Sequence, residues 1–302
     1  MKGKAPAVTS KTVLTQLASV WTFGIREFRM WRSYRMNQLM WICDILMSSF
    51  LFFMIGRMVG DQSAELLGVY GANYITFILI GMGVNYLIAT NLHDPFARIS
   101  RVYWDGTMDL YLLSPMSIYT PLVGLMARSV IDDYPRVFFI VLFGTTLFGA
   151  RFALGHIPEA ILFAALILIA SFGIGIISAS TFYLFDFKRA NEPVRFFIQE
   201  VMAALVAGTY YPVTVLPYPL QIVAALLPHT YAYDALRRLL SPGADLRTPN
   251  LVLHSALPTL TPIQVDGLAL AAGCLAFIPL GLWLYKAGIE RARRSGTLTR
   301  WQ

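Results

Sequence analysis

Residues 196–236 read FFIQEVMAALVAGTYYPVTVLPYPLQIVAALLPHTYAYDAL, a stretch without a single Lys or Arg. It is long enough for two bilayer crossings of about 20 residues each, or for one crossing and a partial return. Pro212, Pro217, Pro219 and Pro228 punctuate its second half, and proline removes a backbone donor and kinks or ends a helix. Such breaks persist at membrane depth only where protein satisfies the freed backbone groups. The stretch therefore reads as a crossing helix over 194–215, followed by a broken, re-entrant helical hairpin over about 211–240.

The rest of the chain supports that setting. Apolar residues make up 57% and charged residues 14%, against about 25% charged in an ordinary soluble domain, and mean hydropathy is +0.59. The predicted fold class is an all-α polytopic membrane protein, because no polar stretch approaches the roughly 50 residues of a soluble domain. Clear spans fall at about 39–60, 70–90, 158–184 and 264–286. Residues 117–149 are long for one span and carry Arg128, Asp132, Asp133 and Arg136 in their middle. Splitting them leaves Val137–Ala150, too short for the roughly 20 residues a crossing needs.

Charge placement fixes parity. Basic clusters at residues 2–35, at Arg98 and Arg101, from Lys188 to Arg195 and from Lys286 to Arg300 hold 17 of the 24 Lys and Arg residues. With alternating spans they fall on one side, the positive-inside pattern that puts both termini in the cytoplasm. Doubling only one ambiguous region would place the basic C-terminus outside. Six spans result, with 1–38 as a cytoplasmic N-terminus, 39–290 as the transmembrane domain, 291–302 as a cytoplasmic tail and the hairpin in the outer leaflet. The same distribution argues against nucleic acid as the reason for the net charge of +7. No cleavable signal is expected, since the first 16 residues lack an apolar core. Cys43 and Cys274 lie inside apolar spans and read as packing residues. The histidines at 93, 156, 229 and 254 show no metal-ligand spacing, so no metal is expected; His93 and Asp94 read as a helix-end pair.

Two amphipathic segments sit at the membrane edge. In the first, Leu17, Trp21, Gly24, Ile25 and Phe28 share one helical face opposite Ser19, Arg26 and Glu27, as in an interfacial helix, and Arg32 snorkels to lipid phosphates. In the second, Asp105-Gly106-Thr107-Met108-Asp109-Leu110-Tyr111-Leu112-Leu113-Ser114-Pro115, the aspartates at 105 and 109 share one face while Trp104, Met108, Tyr111 and Leu112 gather on another. The segment over about 98–115 reads either as a loop helix resting on lipid or as a helix offered to a partner.

These pieces, in this order, resemble the ABC-2-type exporter permeases. The resemblance is carried by WDGTMDLYLLSP after span two, YYPVTVLPYPLQIVAALLPHTYAYDALRRLL between spans five and six, and the tail ARRSGTLTRW. Leu216-Pro217 and Pro228-His229-Thr230-Tyr231, with Ala235-Leu236-Arg237, are most similar to the drug- and lipooligosaccharide-exporter branch. Asp109 stands where the family usually has Glu, and His229 where Leu is frequent. The resemblance implies a half-transporter in the cytoplasmic (inner) membrane of a prokaryote: two copies of the permease with two separate ABC ATPase subunits. ATP and Mg would bind on those subunits, and this chain would hold no cofactor. It further implies a coupling helix formed by Arg98, Arg101, Trp104, Asp105, Thr107, Met108, Asp109, Tyr111 and Leu112. An outer gate would lie at Tyr211, Pro212, Val215, Leu216, Pro217, Pro228 and His229. The chain has no G-x-x-x-x-G-K-[ST] phosphate loop, so any ATP-derived energy must come from another subunit.

Charges at bilayer depth are costly and usually face a partner or a wet cavity. Asp44, Arg128, Asp132, Asp133 and Arg136 are therefore either a self-neutralising network between helices or a polar lining of an export path. Arg136 and Arg128 each lie four residues from Asp132, a spacing that permits pairing. The function expected is export of an amphiphilic or hydrophobic substrate: drug, lipid or lipid-linked glycan. The rivals are a polysaccharide-exporting permease, an integral membrane lipid-modifying enzyme and a non-transporting assembly factor. The enzyme would need paired catalytic groups, and adjacent Asp132 and Asp133 diverge by about 100° on a helix.

Overall fold

A computed structural model describes residues 21–22, 25, 28–29, 32–59, 67–71, 74–106, 113, 119–185, 201 and 205–297. Among the described residues every regular element is a helix: α1 (Arg35–Val59), α2 (Tyr74–Trp104), α3 (Thr120–Thr146), α4 (Ile157–Leu184), α5 (Tyr218–Ala225), α6 (Pro228–Leu240), α7 (Val252–Ala256) and α8 (Pro262–Ser295). Short 3-10 turns lie at Gly68–Tyr70 and Val213–Val215. Four of the helices, in α1, α2, α4 and α8, are long and apolar enough to cross a membrane.

The boundaries follow from local chemistry. Proline stands in the first two positions of α3, α4, α5, α6 and α8, where its missing N–H has no helical partner to lose. Helix α8 begins with the Thr261 N–H donating to Gln264 Oε1 at 3.0 Å. It ends at Gly296 (φ +69°) with Thr297 N–H donating to the Ala292 carbonyl at 3.0 Å, the left-handed stop that glycine favours. Helix α3 is continuous from 120 to 146 despite Pro135. Helix α2 runs to Trp104, well past residue 90 where its apolar run was expected to end. His93 and Asp94, 3.8 Å apart, therefore lie inside a helix and not at its end.

Helix α4 is the central element, packing on α8, α2 and α6. Glycines set its approach distances. A Cβ on Gly281 would come within 2.8 Å of the Gly173 carbonyl, and one on Gly175 within 2.1 Å of the Asn91 carbonyl of α2. The backbones of α8 and α2 thus press directly onto α4, and Ser171 and Ala179 on either side of Gly175 are fully buried. Small residues at helix crossings allow this close packing when no hydrophobic effect drives helices together. Helix α1 behaves differently. It meets the bundle through Trp41 on Phe139, Phe53 on Phe148 and Phe52 stacked 5.1 Å from Tyr210, while Met36, Met40, Met47, Leu51 and Met58 face outward. The described residues of the N-terminal amphipathic segment are helical up to a break at Tyr34, with Trp21 and Phe28 exposed.

Candidate functional site

Helix α6 carries the densest polar chemistry among the described residues. Twelve of its thirteen residues are buried, including Asp234, Arg237 and Arg238. Asp234 receives three hydrogen bonds: from the Tyr70 hydroxyl at 2.7 Å, from Asn250 Nδ2 at 2.6 Å and from Arg238 Nε at 2.6 Å. The rest of the Arg238 guanidinium donates to the carbonyls of Asp245 and of Thr248, the latter at 2.9 Å. One ion pair thereby ties α6 to the turn before α2 and to the loop after α6. That loop also meets the turn backbone to backbone: Asp245 N–H donates to the Val69 carbonyl at 2.8 Å. A Cβ on Gly71 (φ +57°) would lie 2.1 Å from the Gly243 carbonyl.

Arg237 is held differently. Its two terminal nitrogens donate to the Gly208 and Thr209 carbonyls at 2.7 and 2.5 Å, and its guanidinium lies 3.6 Å from the centre of the Phe77 ring. That stacking suits a planar cation in a dry setting. The Thr209 carbonyl reaches this position because α2 has Gly81 beneath it: a Cβ there would sit 2.3 Å from that oxygen and 2.5 Å from the arginine. Thr209 Oγ1 donates to the Tyr233 hydroxyl at 2.8 Å, completing the tie between α6 and the segment before it.

His254 and Asp266 extend the cluster, with His254 Nε2 2.8 Å from Asp266 Oδ1. The backbone N–H groups of Asn250 and Leu251 point at Nδ1, at 3.5 and 3.4 Å, which leaves the proton on Nε2 to be donated to Asp266. Burial, countered by Asp234, holds the His254 imidazole below its ordinary pKa and so keeps it neutral. The ligand atoms of Asp234, His254 and Asp266 lie within 4.8 Å of one another, near enough to hold a metal ion. The donor set does not fit one. Asp234 already accepts three donors, one of them a guanidinium that would repel a cation, and His254 Nε2 is spent on Asp266. The arrangement is a buried lock joining α6, α7, α8 and two loops, in which Asp266 Oδ2 and Asn250 Oδ1 have no hydrogen-bond partner among the described residues.

A second polar cluster lies between α1, α2 and α3. Asp133 is fully buried and accepts Thr90 Oγ1 at 2.8 Å, with Arg136 Nη1 at 3.4 Å. The Arg136 guanidinium also faces the rings of Tyr86 at 5.5 Å and Trp41 at 6.0 Å, and the Tyr86 hydroxyl donates to Asp44 at 3.0 Å. Asp44, Asp133 and Arg136 of the predicted set are thus brought together by Tyr86 and Thr90. The side chains of Arg128 and Asp132 lie outside the described residues, and the carboxylate seen beside Arg136 is Asp133, three residues away, where spacing alone pointed to Asp132.

Of the segment predicted to contact a partner, Arg98, Arg101 and Trp104 ride on the last turns of α2 instead of on a separate short helix, and Asp105–Gly106 form the turn that follows. Arg101 and Asp105 are exposed, and Trp104 is partly so. Thr107, Met108, Asp109, Tyr111 and Leu112 lie outside the described residues. Of the interfacial set, Trp21, Ile25, Phe28 and Arg32 are all helical. Of the predicted gate, Pro212, Pro228 and His229 are buried, Val215 and Pro217 are exposed, and Tyr211 and Leu216 are half-buried. Neither ring nitrogen of His229 has a hydrogen-bond partner among the described residues. Thr230 Oγ1 and the Tyr231 hydroxyl donate back to the Ala224 and Ala225 carbonyls at 2.7 and 2.5 Å, so the break between α5 and α6 is stapled by α6 side chains.

No known family model matches this chain, and no curated protein does.

The lock was only partly visible beforehand. Asp234 and Arg238 stand four apart on one helix, a legible ion-pair spacing. Nothing in the sequence linked them to Tyr70, Asn250, His254 or Asp266.

Proposed function

We propose that this chain is the membrane-spanning permease subunit of an ATP-driven ABC exporter, moving an amphiphilic or hydrophobic substrate outward. The observation that carries the reading is helix α2. It is one 31-residue helix, about 46 Å long at 1.5 Å per residue, buried along most of its length. One end presents Arg98, Arg101, Trp104 and Asp105; the other lies under the Arg237 lock through Gly81. A rod of this kind can carry a push at the first end to the elements held at the second. In this reading the segment from Arg98 to about 115 docks in a groove on a partner ATPase, as helix-in-groove recognition permits. ATP and Mg reside on that partner, and two copies of each subunit assemble in the inner membrane with the permease termini in the cytoplasm.

Six crossings complete the topology. Four are the long apolar helices; α3, charged in its middle, is the third; the fifth, expected over 194–215, ends earlier, because residues 207–215 form turns and a 3-10 turn. The 3-10 turn at Val213–Val215, α5 and α6 are the outer-leaflet re-entrant hairpin, and Tyr211 to His229 form the outer gate. Export of a drug, lipid or lipid-linked glycan is favoured over polysaccharide because the large exposed side chains of α5 and its C-cap are apolar or aromatic: Tyr218, Leu220, Ile222, Val223 and Leu226.

The test is affinity purification of the full chain from its native membranes. ATP hydrolysis is expected to co-purify, and to be lost in Met108→Asp or Tyr111→Asp while the chain stays in the membrane. Wild-type preparations free of any ATPase, or variants that retain it fully, would sink the proposal.

A further inference from the structure

A cleft of about 300 Å³ lies between α2, α3 and α4 at the end of the bundle that holds the α6 lock. Its long wall is α2 from Leu79 to Leu87, its floor is Leu236 and Leu240 of α6, and Tyr134 supplies the one polar group on an otherwise apolar lining. Leu154 and Ile161, on its rim, are 74% and 60% exposed, so the cleft opens sideways from the bundle. In a membrane that direction faces acyl chains. The volume suits on the order of ten groups of about 30 Å³, enough for a stretch of one hydrocarbon chain.

Gly83 keeps the cleft open. Gly81, Gly173, Gly175 and Gly281 are forced by close contact, but a Cβ on Gly83 would meet only Val137 Cγ1, at 3.9 Å. Packing does not require a glycine there, and mid-helix glycine disfavours the helix relative to alanine. Its missing side chain is empty space in the cleft wall.

The rim also carries a cation. Arg151 is exposed on the loop between α3 and α4, next to the cleft-lining Phe152, and has no ion-pair partner among the described residues. The loop is pinned on both sides of Phe152: Arg151 N–H donates to Thr76 Oγ1 at 3.2 Å and Ala153 N–H to the Leu240 carbonyl at 2.8 Å. These two bonds fix the Arg151 backbone one residue from the cleft lining, so that its exposed guanidinium is within a side chain's reach of a phosphate attached to a hydrocarbon chain lying there.

We infer that the cleft is a resident phospholipid site, with one acyl chain along α2 from Leu79 to Leu87 and the lipid phosphate on Arg151. The inference rests on the membrane-spanning reading and is independent of coupling to an ATPase. The experiment is native mass spectrometry of the full-length protein, extracted from phosphatidylethanolamine/phosphatidylglycerol membranes in mild detergent. Wild type is expected to retain one phospholipid per chain. Gly83→Leu, which fills the cleft, should lower that occupancy at least tenfold, and Arg151→Gln should lose the lipid on washing. Gly83→Ala should keep it. Ala164→Phe fills the cleft from α4 and serves as the second blocking variant should Gly83→Leu fail to fold; thermal midpoints in the same detergent identify folded samples. Wild type carrying only detergent, or folded blocking variants with wild-type lipid occupancy, would overturn the assignment. Lipid loss with undiminished ATPase association separates this result from failure of the exporter reading.

Discussion

Replacing Asp234 by leucine strands the Arg238 guanidinium inside the protein. The arginine keeps its bonds to the Asp245 and Thr248 carbonyls but loses the counter-charge that lies 2.6 Å away. Removing one partner of a buried pair destabilises by about 3–5 kcal/mol. The buried Tyr70 hydroxyl loses its acceptor as well, worth about 1–3 kcal/mol if nothing replaces it. Non-additivity within one network makes about 4 kcal/mol the expected total. The double variant Asp234→Leu/Arg238→Met removes both charges and leaves the Tyr70 hydroxyl and the Asn250 amide to pair with each other, so the charge part of the loss should return, with a coupling energy of about 2–4 kcal/mol. Unfolding the protein in mixed micelles by increasing SDS fraction, read by tryptophan fluorescence, measures all four corners of the cycle. A single variant that loses under about 1 kcal/mol, or a double variant equal to the sum of the singles within about 0.5 kcal/mol, would refute the lock.

Three further outcomes follow from the geometry. Gly81→Ala should destabilise by about 1–3 kcal/mol, because its Cβ would press on the Thr209 carbonyl, whereas Gly83→Ala should be neutral or stabilising by up to about 1 kcal/mol; equal behaviour in SDS titration would contradict the packing. Asp133→Asn keeps the shape that receives Thr90 while removing the charge beside Arg136. It should lower substrate transport in proteoliposomes and leave basal ATP hydrolysis within about twofold, and unchanged transport would assign the cluster to tethering alone. The Asp245 carboxylate is held below the usual range by the Thr248 hydroxyl, then by the Arg247 N–H. A carboxylate pKa that folding depresses contributes stability above its unfolded value of about 3.9 and loses it as pH falls through the folded one. Stability below about pH 4 should therefore decline less steeply in Asp245→Asn, as thermal midpoints across pH 3–6 would show.

The long helices were legible because a bilayer demands long apolar runs, and α1, α4 and α8 fall within a few residues of the expected ends except for the polar C-terminal turns of α8. The extension of α2 to Trp104 was not. The hydropathy signal stops near Asn91, but Asn91 spends its side chain on the Leu87 carbonyl of its own helix at 3.0 Å, so the helix continues through a polar position. Charge spacing proved equally permissive: Arg136 stands four residues from Asp132 and three from Asp133, both helical neighbours, and only packing against Thr90 places Asp133 inward. The lock was hidden for a related reason. Tyr70, Asp234, Asn250, His254 and Asp266 sit on separate elements, and single-chain periodicity reports on neighbours within one helix and not on which helices meet.

Helix α2 contains its own answer to how a push at one end could reach the other. Gly81 and Gly83 are two residues apart, about 200° around the axis, so one face bears the Thr209 carbonyl while the opposite one lines the cleft. Further along, Pro95 cannot donate to the Asn91 carbonyl, a loss that ordinarily bends a helix. Here the freed carbonyl lies against Gly175, whose absent Cβ would have been 2.1 Å from it, and the Pro95 ring lies 3.0 Å from the same position. The weak point of α2 is therefore braced by α4, the element that α8 and α6 also pack upon. Under the exporter proposal, a push at Trp104 and Asp105 would therefore pass to α4 at this braced point instead of being lost in a bend of α2.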